Sequence, residues 1–116
     1  RAKILVLGVA YKKNIDDVRE SPAFAIIEIL EAKGAYTAFY DPHVKEIPKT
    51  RKHMHLAGRQ SIKWDATCFA DYDAVLIVTD HDGVNYAELV KNSRLVVDTR
   101  NTTRSINDPD GKILLA

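Results

Sequence analysis

The stretch KILVLGV, residues 3–9, is apolar at almost every position. A strand with one wet face alternates apolar and polar residues. An unbroken apolar run of strand length belongs in a sheet covered on both faces, which is the environment of a parallel sheet. The residues after it support that reading. Ser21-Pro22 predicts a helix start, with Ser21 as N-cap and Pro22 at the first helical position. Ala23, Ile26, Ile27 and Leu30 then recur at helical spacing and form one apolar stripe, with Glu28 and Glu31 pointing away from it. Gly34 suits the left-handed residue that closes a helix. Residues 36–40, YTAFY, predict a second strand, stopped by Asp41-Pro42. Residues 3–40 therefore read as a strand–helix–strand unit, whose crossover is right-handed in nearly all proteins.

The remainder continues the alternation. Residues 43–61 are polar and basic and predict a loop with one short helix. A short strand is expected over 61–64, a helical turn over 65–70, and a central strand over 74–78, AVLIV. A short helix over 86–91, a strand over 94–98 and a last edge strand over 113–115 complete the pattern. The fold class implied is α/β: a single-domain, three-layer αβα sandwich around a Rossmann-like, mostly parallel sheet. A length of 116 residues suits one domain and is short for two. The 17 Lys and Arg against 16 Asp and Glu give a net charge of +1, so no global basic field points to nucleic acid or an anionic membrane. No apolar stretch approaches the length of a membrane span, and the first apolar run is too short, with the wrong flanks, for a signal peptide. The single Cys68 excludes an intramolecular disulfide framework and fits a reducing, cytoplasmic setting. A strand this near the first residue suggests a domain of a longer protein.

In open parallel sheets ligands bind beyond the carboxyl ends of the strands, so the loops to read are 8–21, 41–46, 79–84 and 98–104. The first, GVAYKKNIDDVRES, is long for a strand-to-helix turn. A dinucleotide fingerprint needs three glycines so that backbone can approach a pyrophosphate, and only Gly8 is present. Lys12, Lys13 and Arg19 could approach phosphate as side chains instead, with Asp16 and Asp17 fixing those cations; the same composition also suits a merely solvated loop. Asp41 stands where dinucleotide folds place a ribose-binding carboxylate, but Pro42 follows it, and an Asp-Pro turn is the better reading. In Thr79-Asp80-His81-Asp82-Gly83, adjacent side chains diverge, so capping of the next helix is expected over metal or acid–base work. His53 and His55 flank Met54 without a further ligand at metal-binding spacing. Asp98, Thr99 and Arg100 end a strand, where an arginine can reach an anionic ligand or pair with Asp98. Cys68 has no base placed beside it and is expected to be a buried, inert thiol.

GVAYKKNIDDVRESPA (8–23) resembles the carboxy-terminal domain of UDP-glucose/GDP-mannose dehydrogenases, which carry a small-aromatic-Lys stretch and then Asp-x-Arg-x-Ser-Pro opening a helix. The resemblance continues in order through YDPHV (40–44), DAVLIVTDH (73–81) and VVDTRN (96–101). It implies a domain, residues 1–116, that grips the UDP part of a nucleotide sugar. In such enzymes an amino-terminal Rossmann domain binds NAD and carries the catalytic cysteine, and a central helix builds a dimer. The C6 hydroxyl is oxidised to a carboxylate in two NAD-dependent steps. Position by position, the resemblance places Tyr11, Lys12 and Arg100 on the UDP-sugar and Arg19 on NAD held by the other domain. Asp17, Glu20 and Ser21 fit the motif as residues that order the loop and cap the helix. No catalytic or metal-binding residue is implied here, and the isolated domain is expected to be inactive. The forms AYKKNIDDVRESPA, TDH and VDTRN look closest to dehydrogenases of UDP-N-acetylhexosamines. Val84 stands where an aromatic residue is expected.

Two other readings start from the same residues. One is a non-catalytic nucleotide-binding regulatory module of doubly wound fold, which would bind mononucleotides with little preference for uracil. The other is a receiver-like or interaction domain; it requires an acidic pair directly after the first strand, and Asp16 and Asp17 lie too far along.

Overall fold

The computed structural model describes residues 1–10, 18 and 21–116. Among the described residues five strands, β1 (Lys3–Leu7), β2 (Tyr36–Tyr40), β3 (Ala74–Ile77), β4 (Val96–Asp98) and β5 (Ile113–Leu115), pair in parallel in the order β2-β1-β3-β4-β5. After β2 the chain crosses back past β1, so the sheet changes winding direction between β1 and β3. That is the topological switch point at which doubly wound folds bind ligands. Leu5 pairs with Ala38 of β2 and with Val75 of β3, at the centre of the sheet.

Alternate residues of β1 feed two separate cores, as the period of a strand requires. Val6 packs with Phe24, Ile27, Phe39, Val44, Ile47 and Leu56 on one face. Leu5 and Leu7 pack with Phe69, Val75, Ile77, Leu89, Val90 and Val96 on the other. Helix α1 (Ala23–Ala32) covers the first face; α2 (Tyr86–Asn92) and a 3-10 helix (Ala66–Asp71) cover the second. This is the expected three-layer sandwich.

Helix α1 departs from expectation at its start. Pro22 occupies the cap position, and Ser21 Oγ accepts from the Ala23 N–H at 3.2 Å rather than from a later turn. The buried face is Ala23, Phe24 and Ile27, with Ile26 and Leu30 only partly covered. The end is as expected. Gly34 takes φ +92° and donates to Glu31 O, while Ala35 N–H donates to Leu30 O, which together close the last turn.

Glu28 and Glu31 do more than face solvent. Glu28 meets His53 Nδ1 at 2.7 Å and His55 Nε2 at 3.2 Å, and the Arg59 guanidinium forks onto Glu31 at 2.6 and 3.0 Å. The His53 ring also stands edge-on to Phe24 at 5.6 Å. The basic segment 43–61 is therefore strapped to the outer face of α1. It contains one 3-10 turn, Met54–Leu56, which buries Leu56. No strand forms over 61–64. Ile62 N–H donates to Phe39 O at 2.9 Å, and beyond that only an isolated bridge joins Glu46 and Gln60. Trp64 instead packs edge-on against Tyr40 and Phe69, and its indole N–H donates to Glu88. That apolar anchor fixes the segment without a ladder.

Candidate functional site

The carboxyl ends of β2, β1 and β3 converge on one buried polar cluster. Gly8 leaves β1 with φ +88°, and a Cβ there would lie 2.5 Å from Thr79 O and 2.6 Å from Thr79 Cβ. The closeness that this glycine permits is therefore used by the end of β3, not by a ligand's pyrophosphate. Thr79 Oγ1 in turn donates to Ala10 O at 2.7 Å.

Asp41 closes the cluster from the opposite side. Its Oδ2 accepts from the N–H of Val9 (2.8 Å) and of Ala10 (3.1 Å) and lies 2.9 Å from His81 Nε2. Its Oδ1 accepts from His43 N–H at 2.8 Å, the local turn bond that the Asp-Pro reading anticipates. Burial alone would push the Asp41 carboxyl up; the bonds from His81 and from the His43 and Val9 amides outweigh it and hold the carboxyl below the usual aspartate range. An ionised carboxylate only accepts, so Nε2 of His81 carries the proton that points at it.

His81 corrects the expectation that residues 79–83 cap the following helix. The side chain is 1% exposed, and the cap of α2 is Asn85, whose side chain accepts from Glu88 N–H. His81 N–H donates to Tyr86 Oη at 3.0 Å, and burial is the main reason the Tyr86 hydroxyl is pushed up to about 12. The His43 ring lies 4.8 Å from that of His81. Val84 packs against the second core in the place where an aromatic residue is expected. No local sequence signal marks the Asp41–His81 pair. The available signal was topological: β1 lies between β2 and β3, so the residues that end those two strands must flank its exit.

A second polar group sits at the end of β4. Asp98 is 1% exposed and accepts from Thr103 N–H (2.8 Å), Thr103 Oγ1 (2.6 Å) and Arg100 N–H (2.9 Å). Of the alternative Asp98–Arg100 pair, the described residues show only the bond from the Arg100 backbone N–H. Among the described residues the guanidinium forms no ion pair, and Arg100 is exposed. Asn101 takes φ +58° in the same turn. Asp98, Thr99, Arg100 and Asn101 line one side of an open cavity of about 400 Å³. A larger cavity of about 700 Å³ runs along β2, Tyr36 and Arg59, away from the carboxyl edge; topology favours the smaller one as the ligand side. Of the residues expected to bind ligand, Arg100 is placed at this edge, whereas Tyr11, Lys12 and Arg19 lie outside the described residues. So do Lys13, Asp16, Asp17 and Glu20. Cys68 is only partly buried; burial, then Asp65 and Asp71, push its thiol up, and Sγ donates to Asp65 O.

A parallel doubly wound sheet with its polar cluster at the switch point is a type of α/β domain that binds ligands beyond the carboxyl ends of its strands. Residues 5–105 match the model of the UDP-glucose/GDP-mannose dehydrogenase family, UDP binding domain, and the chain belongs to that family. It is 39% identical over 106 residues to the UDP-glucose 6-dehydrogenase of Bacillus subtilis (strain 168), covering 84% of this chain and 22% of that protein. It is 30% identical over 82 residues to the UDP-N-acetyl-D-mannosamine dehydrogenase of Methanococcus maripaludis, covering 71% of this chain and 17% of that one. Its fold matches the UDP-D-ManNAc dehydrogenase structure from Pyrococcus horikoshii with TM-score 0.68 and 29% identity, over 99% of this chain and 25% of that one. The chain thus spans about a quarter or less of the length of these relatives.

Proposed function

We propose that this chain is the carboxy-terminal UDP-sugar-binding domain of an NAD-dependent nucleotide-sugar 6-dehydrogenase, which oxidises the C6 hydroxyl of a UDP-sugar to a carboxylate. Membership of the UDP-binding family carries the reading. The sugar assigned is a UDP-N-acetylhexosamine, on the form of the 10–23, 79–81 and 97–101 motifs. Similarity to UDP-N-acetyl-D-mannosamine dehydrogenases supports that choice, while UDP-glucose dehydrogenases stand as the competing class.

On this reading Tyr11, Lys12 and Arg100 contact the UDP-sugar, with the two cations neutralising or hydrogen-bonding the anionic ligand. Holding the substrate in one pose against the oxidant is worth several kcal/mol of barrier. The described residues do not form a dinucleotide cradle, because Thr79 fills the space beside Gly8. NAD, which supplies the hydride acceptor when bound, is assigned on the family resemblance to the amino-terminal domain, with Arg19 reaching it from this chain. The whole protein is assigned as a cytoplasmic homodimer or larger assembly; among the described residues no helix is long and apolar enough to cross a membrane.

The test is Arg100→Ala in the full-length protein. Loss of a charge-assisted bond weakens UDP-sugar binding by about 1.5–3 kcal/mol, roughly tenfold to a hundredfold in Kd. Unchanged affinity contradicts the assignment.

A further inference from the structure

We propose that Asp41 and His81 are positioning residues for nucleotide-sugar binding: with Thr79 they fix the backbone at Val9–Ala10, from which the chain enters the segment carrying Tyr11 and Lys12. The proposal rests on the substrate-binding reading of those two residues given above. Three observations carry it. The first is topological. β1 lies between β2 and β3, so Asp41 after β2 and Thr79 and His81 after β3 straddle the exit of β1. The second is that the bonds go to main chain. Asp41 takes the N–H groups of Val9 and Ala10, and Thr79 Oγ1 donates to the Ala10 carbonyl. Held on both sides through its backbone, this step of the chain has a fixed direction whatever the side chains do.

The third observation is the cost of the arrangement. The side chains of Asp41 and His81 are 0% and 1% exposed. A buried carboxylate hydrogen-bonded to a buried imidazole is seldom the most stable way to fill such a space, since well-packed apolar residues often do as well or better. Its best-attested use is to select one geometry. Here the geometry selected is that of the stem of the first loop, and Tyr86 ties the pair to α2 by accepting from His81 N–H. Misplacement of a binding group by about 1 Å can cost a hundredfold, so a loosened stem should be felt by the ligand.

The experiment compares His81→Leu, His81→Gln and Arg100→Ala in the full-length protein. The probes are UDP-N-acetylmannosamine and UDP-glucose, read on whichever binds the parent more tightly, and NAD. Leucine removes the donor to Asp41; the glutamine amide returns an N–H near the position of Nε2. The expected result is a UDP-sugar Kd raised about tenfold or more in His81→Leu, within about threefold of the parent in His81→Gln, and an NAD Kd within about twofold in both. Three results overturn the proposal: parental UDP-sugar affinity in folded His81→Leu, equal losses for UDP-sugar and NAD, or no rescue by glutamine. If His81→Leu does not fold, Thr79→Val against Thr79→Ser makes the same comparison with only one hydroxyl removed. Arg100→Ala separates the two failures. If it weakens UDP-sugar binding and His81→Leu does not, the positioning role alone is wrong. If Arg100→Ala also leaves binding intact, the substrate-binding reading has failed and the proposal falls with it.

Discussion

Replacing Gly8 with alanine probes the stem of the first loop at its tightest point. Two costs add. A side chain at φ +88° adopts a left-handed conformation, which disfavours L-residues by about 1–2 kcal/mol. The new methyl group would also sit 2.5, 2.6 and 2.8 Å from O, Cβ and N of Thr79, all of them main chain or its first branch. Thr79 cannot easily yield, because Val78 N–H is bonded to Leu7 O at 2.9 Å and Thr79 Oγ1 to Ala10 O at 2.7 Å. Overpacking of this kind costs about 1–3 kcal/mol. The sum, about 2–5 kcal/mol, is a large part of the roughly 5–15 kcal/mol that holds a domain folded. At about 4 °C per kcal/mol for a chain of this size, the midpoint falls by about 8–20 °C. Gly34→Ala is the control: its φ is +92°, but nothing lies within 4 Å of the added Cβ, so only the conformational cost of about 1–2 kcal/mol applies. Thermal and urea unfolding of the two variants under the same conditions makes the comparison. Equal losses in the two would refute the close-approach argument, since backbone conformation alone would then account for both.

Two further outcomes follow from the site's electrostatics. Asp41 and Asp98 are both held below the ordinary value of 3.8, each by hydrogen bonds that outweigh burial. The unfolded chain then binds more protons than the folded one, so this stabilisation is present above the unfolded value and is lost as pH falls through the folded value. Stability measured by urea titration should fall on acidification below about pH 4, and Asp41→Asn should flatten that fall; a rise in stability on acidification would refute the assignment. Cys68, pushed up by burial and two nearby aspartates, should react slowly with iodoacetamide at neutral pH and reach the rate of a free thiol in denaturant; equal rates would contradict the thiol's assignment.

What the sequence reveals and what it hides have separable causes. Strands β2 and β5 are bounded as expected, because turn residues and apolar runs are local signals. Gly34 is legible for the same reason. The strand expected over 61–64 fails because Trp64 anchors the segment through ring packing with Tyr40 and Phe69, which propensity does not encode. The strap of His53, His55 and Arg59 on α1 joins residues far apart in the chain, so its members read only as a basic loop. Asp41 and His81 are hidden by the same distance, 40 residues along the chain, until strand order places them on either side of β1. Arg100 is legible through a motif and its place at a strand end, and it is exposed there.

The central claim is that this chain grips the uridine diphosphate part of a nucleotide sugar. Calorimetric titration of the full-length protein with UDP, UDP-N-acetylglucosamine, UDP-glucose and GMP tests it most directly. The account predicts that the uridine ligands bind and GMP does not. Equal binding of all four would contradict it and identify a general nucleotide-binding module instead.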